Sequence, residues 1–150
     1  MRSSACVAFV AAGLLLAGCG NDVDVELVWG GPPDAGPGGA VSTQGFSGFQ
    51  QEVDEDWERS PAMAAAVFLR LDERKAVRTT IDAQAGPEGG GGQTVVVTLD
   101  GLADDSVRTE RWTLGFEEAP GGVYALTGAL RELRCHEGRG HQEFAGEACT

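Results

Sequence analysis

From residue 46 onward the hydrophobic positions follow first one period and then another. Phe46, Phe49, Val53 and Trp57 recur at spacings of three and four, which predicts a short helix on an acidic segment. A second helix is predicted from about Pro61 to Asp72. Ser60 suits its cap and Pro61 its first position, while Ala64, Val67, Phe68 and Leu71 share one face. Beyond it the period falls to two. Val77, Thr79, Ile81 and Ala83 alternate with Arg78, Thr80, Asp82 and Gln84, and the stretch GPEGGGG (Gly86 to Gly92) then interrupts the chain. Val95, Val97 and Leu99 mark the inner face of a second strand, and Trp112, Leu114 and Phe116 that of a third. A fourth is expected from Val123 to about Arg134, its alternation broken by Gly128. Short connections favour an antiparallel meander of three to four strands, with one or two N-terminal helices packed on one face: an α+β fold.

The chain before residue 46 reads differently. Arg2 precedes an apolar run from about Ala5 to Ala17, followed by Gly18 and Cys19. This is the order of an export signal, and the run is too short to span a bilayer's roughly 30 Å of hydrocarbon. Leu16-Ala17-Gly18-Cys19 resembles the bacterial lipobox. The resemblance implies cleavage before Cys19, lipidation of its sulfur with palmitate-like acyl chains, and anchoring in a membrane. Each buried methylene of such a chain contributes about 0.8 kcal/mol. In proteobacterial lipoproteins the residue after the cysteine biases sorting. Gly20 in place of aspartate points to the periplasmic face of the outer membrane if the host has two membranes. Residues 19–45, with GGPPDAGPGGA (Gly30 to Ala40) at their centre, are expected as the lipidated N-terminus and a flexible tether. A flexible chain of that length spans on the order of 25–30 Å. The organisation expected is therefore a signal at 1–18, a tether at 19–45 and one small domain at 46–150.

Charge narrows the partners. Without the signal the chain keeps 10 basic and 23 acidic side chains, a balance of −13. Such a surface disfavours nucleic acid, because phosphate recognition needs a basic surface. The acidic run EVDED (Glu52 to Asp56) lacks the oxygen spacing of a calcium loop. The glycine-rich stretch does not match a phosphate loop, because no GK[ST] follows it, and it reads as a mobile hairpin loop. GFSGF (Gly45 to Phe49) misses the G-x-S-x-G nucleophile elbow at its last position. No cofactor is indicated.

Cys6 leaves with the signal and Cys19 is taken by lipid, so Cys135 and Cys149 remain as a pair in an exported domain. A disulfide closing the C-terminal tail is expected in that compartment. Zinc is the competing reading. Cys135, His136, His141 and Cys149 offer suitable atoms, but C-H-x4-H-x7-C lacks the paired spacing of known modules. Within the tail, Gly138-Arg139-Gly140-His141 combines a turn that exposes amides with a guanidinium fork and an imidazole. Arg139 and His141 are thus candidates for holding a small anion. Structural use of both is the alternative, with Arg139 pairing to a carboxylate and His141 donating to a carbonyl. A catalytic role lacks a nucleophile or an acid partner.

The run TVVVTLDGLADDSV together with LRCHEGRGHQEFAGEAC resembles a group of uncharacterised bacterial lipoproteins. They share a GLxDDSV turn and a tail of the form C-x-x-GRGH-x-x-F-x(4-5)-C. The similarity covers about Thr94 to Cys149 and marks Gly101, Leu102, Asp104, Asp105, Ser106 and Val107 in the turn. In the tail it marks Cys135, Gly138, Arg139, Gly140, His141, Phe144 and Cys149. Many members carry tryptophan where this chain has Tyr124, and an aromatic where it has Leu133. The group supplies no activity to carry over. The function expected is that of a membrane-anchored, non-enzymatic envelope lipoprotein acting through binding or assembly with an envelope protein. The alternatives are a receptor for a small anionic ligand and an enzyme acting on an envelope polymer.

Overall fold

The computed structural model describes residues 27–33, 36–86 and 91–150. The signal, Cys19, the first part of the expected tether and the centre of the glycine-rich loop lie outside them.

A five-stranded antiparallel sheet carries the fold, in the order β1-β5-β4-β3-β2. The strands β2 (Ala76–Ala85), β3 (Gly92–Leu102), β4 (Val107–Ala119) and β5 (Val123–Cys135) form the expected meander. The fifth strand, β1 (Gly39–Val41), was not expected. It comes from the segment read as tether and pairs with residues 129–131 of β5. Three residues among glycines carry no period, so only the exposed edge of β5 induces this strand.

One face of the sheet is covered by α1 (Gln44–Glu52), a short 3-10 turn (Asp56–Arg59) and α2 (Pro61–Phe68). Ser60 caps α2 through Met63 N–H, with Pro61 at the first position, as the sequence suggests. The helix ends at Phe68 and not near Asp72. Arg70 takes a left-handed φ of 51°, while Arg70 N–H donates to the Val67 carbonyl and Leu71 N–H to that of Ala66. This is the helix-ending arrangement that glycine usually supplies. Arg70 is held there by its side chain, which donates to the Trp29 carbonyl at 2.7 Å and pairs with Glu73 and Asp72. The predicted first helix also breaks, at Val53, because Glu55 and Glu58 form a capping box that starts the 3-10 turn.

Val95, Val97, Trp112, Leu114, Phe116, Leu126 and Ala129 meet Phe46, Ala64, Ala65, Phe68 and Leu69 in the core. Trp29 joins them, although it too lies in the expected tether. Its ring is 5.2 Å from Phe46 and 6.1 Å from Phe68, and its indole N–H donates to the Phe68 carbonyl at 2.8 Å. The folded unit therefore begins ahead of the expected boundary at residue 46. The broken alternation of β5 also has a cause. The β4–β5 register shifts between Gly115 and Phe116, leaving Thr127 as an extra residue whose hydroxyl donates to the Gly115 carbonyl at 3.1 Å.

Candidate functional site

Among the described residues the opposite face of the sheet bears no helix, and its side chains are mostly polar: Arg78 and Thr80 on β2, Thr98 and Asp100 on β3, Thr109 and Arg111 on β4, Glu132 and Arg134 on β5. Its lower end is roofed by the C-terminal tail. Cys135 and Cys149 form the expected disulfide, with Cα atoms 5.4 Å apart. Leu133 and Ala145 exchange backbone bonds of 2.8 and 3.0 Å, which lays the tail along β5 beyond the end of β1. Phe144 then reaches the open face. The guanidinium carbons of Arg111 and Arg134 lie 4.1 and 4.4 Å from its ring centre, within cation–π range.

Beside Phe144 is a cleft of about 380 Å³, lined by Arg78, Arg108, Arg134, Thr80, Thr98, Thr109 and Asp100. Arg108 reaches it through a second irregularity. The register shifts between Val107 and Thr109, so Arg108 is the extra residue of a bulge, a device that re-aims a side chain. Arg78 pairs with Asp100 at 3.1 Å, and Thr109 donates to the same carboxylate at 2.7 Å. These contacts, the threonine bond first, hold the Asp100 carboxyl below its ordinary pKa. Arg134 differs: its Nε is buried and has no hydrogen-bond partner among the described residues. Period-two alternation could place Thr98, Thr109 and Arg134 on one face, but nothing in the sequence marks the bulge or the roof.

The GRGH segment lies at the edge of this region and is used structurally on three counts. A Cβ at Gly140, where φ is 137°, would sit 2.9 Å from Cys135 Sγ, so the disulfide excludes a side chain there. The Arg139 backbone is held at both ends, donating to the His136 carbonyl and accepting from Thr150 N–H. Both ring nitrogens of His141 face carbonyl oxygens, Nδ1 that of Glu143 at 2.8 Å and Nε2 that of Glu147 at 3.0 Å. Only the imidazolium can donate to both, and these two bonds raise its pKa. Its stabilising contribution is therefore complete below the unfolded value of about 6.5 and is lost as pH rises through the raised folded value. Melting temperature should fall between pH 6 and 8.5 more steeply than in a His141→Gln variant, as read by circular dichroism in parallel scans. Equal slopes would remove His141 from this role.

The GLADDSV turn and the C-terminal tail meet in space. Asp104 accepts from Ser106 and Val107 N–H at 2.8 and 2.6 Å, bonds that lower its pKa. Ser106 in turn accepts from His136 N–H at 2.8 Å. Gly101, with φ of 70°, packs where a Cβ would meet Val77 at 2.7 Å. The turn at Gly101 to Val107 is thus a fitting for the tail.

Three other places are less suited to a ligand. Cys135 Sγ, His141 and Cys149 Sγ offer donor atoms within 4.8 Å of one another, but the disulfide consumes both thiolates that zinc would need. Glu110, 2% exposed, has its carboxylate filled by Arg74, Arg131 and the Trp112 indole. An apolar groove of about 430 Å³ runs between Leu27, Val28, Trp29, Val67 and Leu71, and Arg70 and Asp72 close its rim. Among the described residues no helix is long and apolar enough to cross a membrane. Comparison with protein-family models, curated proteins and solved structures finds no match for this chain.

Proposed function

We propose that this is an exported protein, lipid-anchored through Cys19, that binds a small anionic ligand in the arginine–threonine cleft on the helix-free face of its sheet. The observation that carries the binding role is Arg134. In a chain whose acids outnumber its bases by 23 to 11, this guanidinium stacks on Phe144 with its Nε buried and unpaired. A buried donor without a partner costs about 1–3 kcal/mol, a cost that a ligand oxygen would remove. Arg108 adds positive charge beyond Arg78, whose charge Asp100 offsets, and the Thr80 and Thr98 hydroxyls add donors, which together suit a carboxylate, sulfate or phosphate group. The cleft is a better anion site than the GRGH loop, where His141 is occupied by two carbonyls.

The anchoring reading rests on the apolar run, on Leu16-Ala17-Gly18-Cys19, and on the position of Trp29. Ten residues separate Cys19 from Trp29 in sequence, at most about 35 Å when fully extended, so the domain would stay close to the bilayer. Palmitate labelling of the full-length chain is expected and should disappear in Cys19→Ser. Persistent label in that variant refutes the attachment site.

The ligand role is tested by titrating the mature protein with inorganic phosphate, sulfate and succinate, following melting temperature and heat of binding. At least one should bind, and Arg134→Gln should weaken it tenfold or more, the cost of about one charge-assisted hydrogen bond. If none binds the wild type, or if Arg134→Gln binds as well, the cleft is not the site.

A further inference from the structure

The two ends of the sheet are treated differently. One end strand, β1, is three residues long and so presents little edge. The other, β2, is ten residues long, contains neither proline nor lysine, and keeps a regular register from Arg78↔Asp100 to Ala85↔Gln93. Residues 77–85 are all exposed, and Val77 and Ile81, on the helix side of the sheet, are 87% and 41% exposed. Among the described residues nothing pairs with the outer edge of β2. Short length, proline and bulges, usual means of blunting an edge, are absent from β2, and its two charges, Arg78 and Asp82, are of opposite sign.

The backbone sets which residues a partner strand can meet. Gly86 N–H donates to the Gly92 carbonyl at 2.8 Å, and the β2–β3 register continues without a shift. Residues of an antiparallel ladder alternate between facing their neighbour and facing away. Even-numbered residues of β2 therefore turn their N–H and C=O toward β3. Val77, Thr79, Ile81, Ala83 and Ala85 turn theirs outward. A second β2 approaching antiparallel must set odd residues opposite odd residues. Of the registers this allows, the one centred on Thr80 places Arg78 opposite Asp82 of the second copy, and Asp82 opposite its Arg78. On the other face it pairs Thr79 with Ile81 and Val77 with Ala83. Centring on Thr79 would set Arg78 opposite threonine, and centring on Ile81 would set it opposite glutamine. Opposite charges directly across strands stabilise the pair.

We infer that the protein self-associates through β2, forming a two-fold dimer with a continuous ten-stranded sheet whose register centres on Thr80. The axis of such a pair runs perpendicular to the sheet, so both helix layers lie on the same side. The Leu27–Trp29 segment packs on that helix layer, against Phe49, Val67 and Leu71. Both chains would then run toward Cys19 from one face of the dimer, which fits anchoring in a single membrane. That last point rests on the lipidation reading; the strand pairing does not.

The test is disulfide trapping of the full-length protein in the membranes of cells expressing it. Thr80 would face its own copy in a non-hydrogen-bonded pair, with Cα atoms about 4.5 Å apart, within reach of a disulfide. Thr80→Cys should give a reducible product of twice the chain mass, at least tenfold more abundant than from Arg78→Cys or Ile81→Cys. Exposure of all three positions keeps folding out of the comparison. No product from Thr80→Cys overturns the proposal, as does equal product from all three or a maximum at Ile81. A product containing a different protein would replace self-pairing with strand addition by another partner. The Cys19→Ser background separates the two readings: retained trapping after loss of membrane association supports both the pairing and the anchor, whereas trapping only in the anchored protein makes the pairing a consequence of crowding on the membrane and overturns it.

Discussion

Replacing Glu110 by alanine should destabilise the domain by about 3–5 kcal/mol, the range for breaking a buried ion pair by removing one partner. Glu110 Oε2 accepts from Arg74 at 2.7 Å and from the Trp112 indole at 3.1 Å, and Oε1 accepts from Arg131 Nε at 2.7 Å. Both guanidinium carbons also lie within 6 Å of the Trp112 ring centre. The two arginines reach further, Arg74 to the Leu69 carbonyl at 2.9 Å and Arg131 to that of Gly36 at 2.8 Å. One carboxylate thus ties β4 and β5 to the end of α2 and to the segment leading into β1. Removing it takes away the carboxylate that lies between two part-buried guanidinium groups, and typical domain stability is only about 5–15 kcal/mol. Urea unfolding should show the loss as a lower midpoint. The whole cluster behaves differently from its parts: replacing Glu110, Arg74 and Arg131 together by methionine or leucine should cost less, because the carboxylate and both guanidinium groups leave together. A drop of less than about 1 kcal/mol for Glu110→Ala would mean that water reaches the arginines and that the cluster is a surface feature.

Cys149→Ser should cost about 3 kcal/mol, the value for a loop of about 15 residues when the bridge is treated as a restraint on the unfolded chain. The loss should be local. Val107↔Cys135 and the rest of the β4–β5 ladder do not depend on the bridge, so the sheet should survive with its far-ultraviolet spectrum unchanged. The tail beyond Cys135 should become sensitive to protease, since Leu133↔Ala145, the Thr150–Arg139 bonds and the His141 contacts are what then holds it. Loosening Phe144 removes its ring from Arg134 and Arg111, so anion binding in the cleft should weaken in the same variant. An unchanged urea midpoint together with unchanged proteolysis would show that the tail is held by its backbone bonds alone.

Much of this was legible from residues alone, wherever a local rule applied. Period two in β2 to β4 follows from side chains alternating across a sheet with one buried face. The start of α2 follows from a serine cap and proline at the first turn, and the Cys135–Cys149 pair from counting thiols in a chain read as exported. The sequence could also show that arginine is scarce against acid, but not where arginines gather. That depended on contacts between residues far apart in the chain. β1 exists because β5 offers it an edge, and Trp29 is a core residue because Phe46 and Phe68 surround it; neither is visible in a glycine- and proline-rich stretch read alone. α2 stops early because Arg70 is drawn out of helical geometry by the Trp29 carbonyl and by Glu73. Arg108 enters the cleft through a one-residue slip in strand register, and Phe144 reaches it because a disulfide bends the tail back over the sheet. Periodicity describes which face a residue belongs to within its own element. Which faces meet, which edges pair and where cations gather are decided only when those elements pack.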